Sequence, residues 1–182
     1  MFEFNRRQIT PDSSGLQRHS SRTYTEQAHR AAHGSYHRAR MRGSLRWLWA
    51  AATGRSGHLL DLERMTASCI IRGQHAAGSQ AVLLSQIVGS EGRAQEFDST
   101  FAPLKNHTKQ RWITIATMME LGEALPLVTL VQIGDNYFVR DGHHRVSVAR
   151  ALGYAYIDAN VTVWDVVDTA ACGCRSAAQL LA

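Results

Sequence analysis

Between Leu127 and Val163 the apolar residues change period twice, and few folds tolerate that change in so short a span. Leu127 to Ile133 and Asn136 to Arg140 read as two strands joined through Gly134-Asp135, a hairpin turn signal. His143 to Leu152 reads as a helix: Val146, Ala149 and Leu152 share a face, Arg150 sits in the last turn, and Gly153 closes it. Ala155 to Val163 returns to period two, with Ile157, Ala159, Val161 and Val163 alternating with Asp158, Asn160 and Thr162. This succession predicts a compact α+β domain with a small mixed sheet and flanking helices.

Upstream, Ala81 to Val88 reads as a strand leading into the turn-rich Gly89 to Arg93. Thr108 to Leu121 reads as a helix with Trp112, Ile115, Met118 and Met119 inward and Gly122 as its stop. The small, polar run from Gly73 to Gly78 marks the expected boundary, so the main domain is placed at residues 76–165. Residues 23–75 read as a basic helical extension, broken at Gly34, with Leu45, Leu48, Trp49 and Ala52 as its apolar face. Residues 1–22 lack an apolar period and are expected to be disordered; residues 166–182 form an Ala-rich tail with helical composition.

Charge is unevenly placed. Residues 1–55 hold ten arginines against Glu3, Asp12 and Glu26, whereas the remainder is slightly acidic. A basic arm of this kind is suited to nucleic acid phosphates or to an acidic protein. No stretch approaches the ~20 apolar residues of a spanning helix, and Arg6 and Arg7 lead into polar sequence rather than a secretory signal. The expectation is a cytoplasmic protein without a membrane partner, with a homodimer as one oligomeric option. Cys69, Cys172 and Cys174 do not make a disulfide framework and are read as reduced thiols, too few for a zinc site. His29, His33 and His37 recur at helical spacing without a carboxylate and are read as a solvated face.

The chemistry concentrates at Asp141-Gly142-His143-His144-Arg145, where a strand enters a glycine turn and a helix starts at once. The free N–H groups of a first helical turn attract anions. Gly142 permits close backbone approach, Arg145 offers a forked phosphate donor, and His143 and His144 offer donors or a base. Asp141 is placed to orient a histidine or to meet a nucleotide-bound Mg²⁺.

The Leu-Pro-Leu-Val strand, the Gly-Asp-x-Tyr-Phe-Val hairpin, the Asp-Gly-His-His-Arg turn and the Ala-x-x-x-Gly helix between Leu125 and Val163 resemble the core of the ParB/sulfiredoxin superfamily. Ser85 to Arg93 resembles the first strand and loop of its ParB-like members, so the likeness covers about residues 80–165. Sulfiredoxins carry a catalytic cysteine where this chain has His143, so the resemblance implies no sulfinic acid reduction. Partitioning ParB proteins carry a Gly-Glu-Arg-Arg turn, bind CTP and continue into a helix-turn-helix; with about thirty residues after Gly153, holding a strand and a tail, site-specific DNA reading of the partitioning kind is not expected. The turn is most similar to that of the free-serine kinase branch, whose catalytic glutamate would fall at Glu91.

The expectation is therefore a ParB-like nucleotide- or phosphate-binding module taking ATP, ADP or CTP with Mg²⁺. Its binding set is Gly142, His143, His144, Arg145 and Arg93, and its basic arm meets nucleic acid. The alternative is a small-molecule phosphotransferase using Glu91, Asp141 and His143 catalytically, with Arg145 gripping the phosphoryl group. Nuclease chemistry ranks last, since only Asp141 and Glu91 offer carboxylates for a metal.

Overall fold

The fold was analysed in a computed structural model that describes residues 13–54, 56–67 and 69–167. One mixed sheet runs in the order β1-β3-β5-β4-β6-β2, from β1 (Leu60–Asp61), β2 (Ile70–Leu83), β3 (Ile87–Ser90), β4 (Val128–Ile133), β5 (Asn136–Asp141) and β6 (Tyr156–Val167). The β4–β5 pair is the antiparallel hairpin that Gly134-Asp135 announces; β3 runs parallel to β5, and β6 parallel to β4. Helix α4 (His143–Ala151) covers one face, burying Val146 and Ala149 among Leu130, Val139 and Val161. On the other face Leu62, from the short α2 (Leu62–Thr66), packs with Val131, Ile133 and Phe138. The α+β class is as the periodicity predicts.

Upstream elements depart from the sequence reading. Ala81 to Val88 is not one strand: β2 ends at Leu83, a 3₁₀ turn occupies Leu84–Gln86, and β3 follows. The Gly73–Gly78 run is no boundary but lies inside β2, where irregularities in the pairing with β6 absorb it. Strand β6 extends four residues past Val163, to Val167. Cys69, read as a reduced thiol, is disulfide-bonded, so it no longer argues for a reducing compartment. Of the expected tail at residues 166–182, Val166 and Val167 belong to β6, and the rest, with Cys172 and Cys174, lies outside the described residues; of the expected disordered segment, residues 13–22 are helical and residues 1–12 lie outside the described residues.

Helix α1 (Ser13–Ala52) begins ten residues before Thr23 and passes through Gly34 without a break. It docks through a narrow seam: Ala32 and Tyr36 are buried against Trp112, Ile113 and Ala116 of α3 (Lys109–Glu120) and Val148 of α4. The Tyr36 and Trp112 rings meet edge to face, 5.4 Å between centroids. The expected apolar face does not dock: Leu45, Leu48 and Trp49 are 63%, 57% and 74% exposed. At about 100° per residue, they fall roughly 120–220° around the helix from Tyr36, so the seam and the Leu-Trp stripe face apart. No helix of the described residues is long and apolar enough to cross a membrane.

The seam ends where α1 crosses the loop Asp98–Ala102. Asp98 is fully buried. Its Oδ1 accepts from the Thr100 and Ala102 amides and the Thr100 hydroxyl at 2.7–2.9 Å, while its Oδ2 accepts from Arg46 Nε at 2.9 Å. These bonds hold Phe101 at φ 63°, a left-handed conformation that costs a bulky residue energy. Gly43 is required at the crossing, since a Cβ there would stand 2.7 Å from Ala102 Cβ. Asp98→Ala orphans two amides beneath α1 and should destabilise the fold by roughly 3 kcal/mol. Urea denaturation tests this, and an unchanged midpoint would contradict the role given to Asp98.

Candidate functional site

Strand β5 delivers the chain to Gly142, whose φ of 94° and ψ of 21° turn it directly into α4. A side chain here would be strained in φ, and its Cβ would meet Val128 Cγ1 at 2.6 Å. Gly142 therefore sets the turn tightly onto β4. The first-turn N–H groups of α4 have no acceptor within the helix and no side-chain cap at Gly142. They open beside a cavity of about 50 Å³ lined by Asp141, Gly142, His143, His144, Arg145, Arg93, Arg111 and Ile115.

His143 is buried with its Nε2 2.7 Å from Ser90 Oγ and a backbone hydrogen bond to Val139. A carbonyl can only accept, so the ring nitrogen facing Val139 carries the proton and Nε2 accepts from the Ser90 hydroxyl. Ser90 Oγ in turn accepts from the Arg93 amide at 3.1 Å. A serine hydroxyl donating to a neutral imidazole is the arrangement of a nucleophile and its base. Ser90 is wholly buried, however, and here anchors the ring and the Arg93 loop. Phe97 stacks near-parallel to His143 and edge-on to His144, closing the inner side.

His144 is equally buried, and its Nδ1 lacks any hydrogen-bond partner. Burial, reinforced by the Arg93 and His144 charges, lowers the His143 pKa to about 4. Burial together with Arg111 lowers that of His144 to about 4, against the opposing charge of Glu96. Both rings are therefore neutral at pH 7.

Of the residues predicted from sequence, the turn gathers Gly142, His143, His144, Arg145, Asp141 and Arg93, but not all in the expected roles. Arg145 Nη1 donates to the carbonyls of Pro126 and Leu127, and Nη2 to Asp141 at 2.7 Å, so much of its fork ties the turn to the segment before β4. Asp141 is spent on that pair rather than on a histidine. Glu91 departs furthest: both its oxygens receive Arg140, at 2.6 and 3.3 Å, and Arg140 lies over the Trp164 ring. Successive strand residues face opposite sides, so Ser90 reaches His143 while Glu91 turns away from it. Arg111, Ile115, Ser90 and Phe97 were not legible as site residues, because each arrives from an element far away in sequence.

Among the described residues, no group of three His, Cys, Asp or Glu is placed to hold a metal ion. His29 and His33 lie with ring centroids 4.8 Å apart on α1, a contact along one helix face. Comparison of the chain with protein-family models, with characterised proteins and with solved structures finds no match.

Two predictions follow from the turn itself. Gly142→Ala should cost at least ~2 kcal/mol, combining left-handed strain with the Val128 overlap; thermal denaturation reads this directly. The second concerns pH. Both histidines titrate lower in the folded chain than in the unfolded one, which takes up protons first as pH falls. Stability is full above pH 6.5 and is lost as pH drops toward about 4, by about 3 kcal/mol per ring. Denaturant midpoints measured across that window should fall, and those of His144→Gln should fall less steeply.

Proposed function

We propose that this protein is a ParB-like binding module that takes the phosphate group of a nucleotide at the amino end of α4. The observation that carries this reading is the imbalance of the cavity: first-turn amides, the buried unpartnered His144 and the side chains of Arg93 and Arg111 surround it, and Asp141 is already paired. An oxyanion supplies the missing acceptor, with the helix dipole assisting. The cavity admits the phosphate alone, so the nucleoside lies outside it. Only one oxygen of Asp141 is in its pair with Arg145, and the other, on an exposed side chain, meets the Mg²⁺ ion carried by ATP, ADP or CTP in this reading.

Phosphotransfer of the free-serine kinase type is the second reading, and it rests on Glu91 as general base. Both Glu91 oxygens are held by Arg140, so the carboxylate is not free to reach an attacking hydroxyl, which favours binding over catalysis. The exposed arginines of α1, among them Arg22, Arg30 and Arg38, support an additional contact with nucleic acid or an acidic protein.

Isothermal titration with ATP, ADP and CTP, each with Mg²⁺, tests the proposal on wild type and on Arg93→Ala/Arg111→Ala. The double variant should bind its preferred nucleotide at least about tenfold more weakly, as loss of charge-assisted donors implies. Undiminished affinity, or no heat with any nucleotide in the wild type, would remove the proposal. For the arm, affinity for a nucleic acid duplex should fall steeply with salt.

A further inference from the structure

A second cavity, of about 230 Å³, lies between α1 and the carboxyl half of α4. Arg42, Arg46, Arg150, Ser147, Thr100 and Phe101 line it. Its polar groups are overwhelmingly donors. Arg42 makes no hydrogen bond or ion pair among the described residues and is exposed at the rim. Arg150 lies over the Phe101 ring at 5.0 Å and gives Nη2 to the Leu84 and Ile87 carbonyls, while its Nε is buried without a partner. Ser147 is buried, and its oxygen accepts from Trp112 Nε1 at 2.9 Å, which leaves its hydroxyl proton to donate.

The nearby carboxylate, Asp98, is fully buried and saturated by the Thr100 and Ala102 groups and by Arg46. Three guanidinium groups thus line a cavity to which no acidic side chain contributes. Burial also lowers the Arg150 pKa, with Asp98 opposing.

We propose that this cavity is a second anion site, which binds a phosphate group through Arg42, Arg150 and Ser147 and thereby clamps α1 onto α4. It is separate from the turn at Gly142 and does not depend on the reading given to that turn. A free phosphate and a nucleic acid backbone present the same group, so the chemistry of recognition is the same.

Pyrophosphate titrated into wild type, Arg42→Gln, Arg42→Lys and Arg111→Gln discriminates. One binding event should weaken about tenfold or more in Arg42→Gln, recover in part in Arg42→Lys, and persist in Arg111→Gln. Arg42 has no partner to lose, so circular dichroism should show all of these variants folded. Pyrophosphate affinity unchanged by Arg42→Gln, or lost only in Arg111→Gln, would overturn the proposal. A short single-stranded oligonucleotide that displaces pyrophosphate in an Arg42-dependent way identifies a nucleic acid source; Arg42-dependent pyrophosphate binding that the oligonucleotide does not displace identifies a free one.

Discussion

The buried Asp98 carboxylate fixes the loop that α1 crosses and against which α4 packs. Without its three bonds to the Thr100 and Ala102 groups, nothing would hold Phe101 in a left-handed conformation, and the loop would lose its fixed path. That path matters because Phe97 and Phe101 pack beneath α4, and because α1 crosses Ala102 at a distance only Gly43 allows. Arg46 then completes the charge balance from α1 itself. A buried carboxylate is costly alone and stable when fully bonded, so the loop, α1 and α4 are held as a set.

Helix α4 is the shared structural support of both cavities. Its amino end carries unsatisfied amides and two neutral histidines; its carboxyl half carries Ser147 and Arg150. Burial and the neighbouring arginines hold both imidazoles neutral. Arg145 contributes mainly by anchoring the turn to Pro126 and Leu127, whereas Arg93 has a looser pair, 3.8 Å from Glu96.

The hairpin, α4 and β6 were legible because their information is local: a Gly-Asp turn, a three-to-four residue period, a two-residue period. The strand-to-helix junction at Gly142 was legible for the same reason, since a glycine between a strand pattern and a helical period marks a tight turn wherever the pair ends up. Side-chain roles were not. The Glu91 partner is Arg140, 49 residues away, and the Ser90 partner is His143, 53 residues away; no local pattern announces either.

The sequence by itself determined the α+β class, the β4–β5 hairpin, α4, β6 and the glycine turn that joins β5 to α4, because backbone geometry and apolar period act over a few residues. Tertiary structure alone decided which face of α1 is buried. The Leu45–Trp49 stripe is the more apolar, yet the small residues Ala32 and Gly43 and the Tyr36–Trp112 contact fit the body, and close packing outweighed raw hydrophobicity. It also decided which charges are spent within the protein and which remain for a ligand, since that depends on distances between segments the chain brings together only on folding.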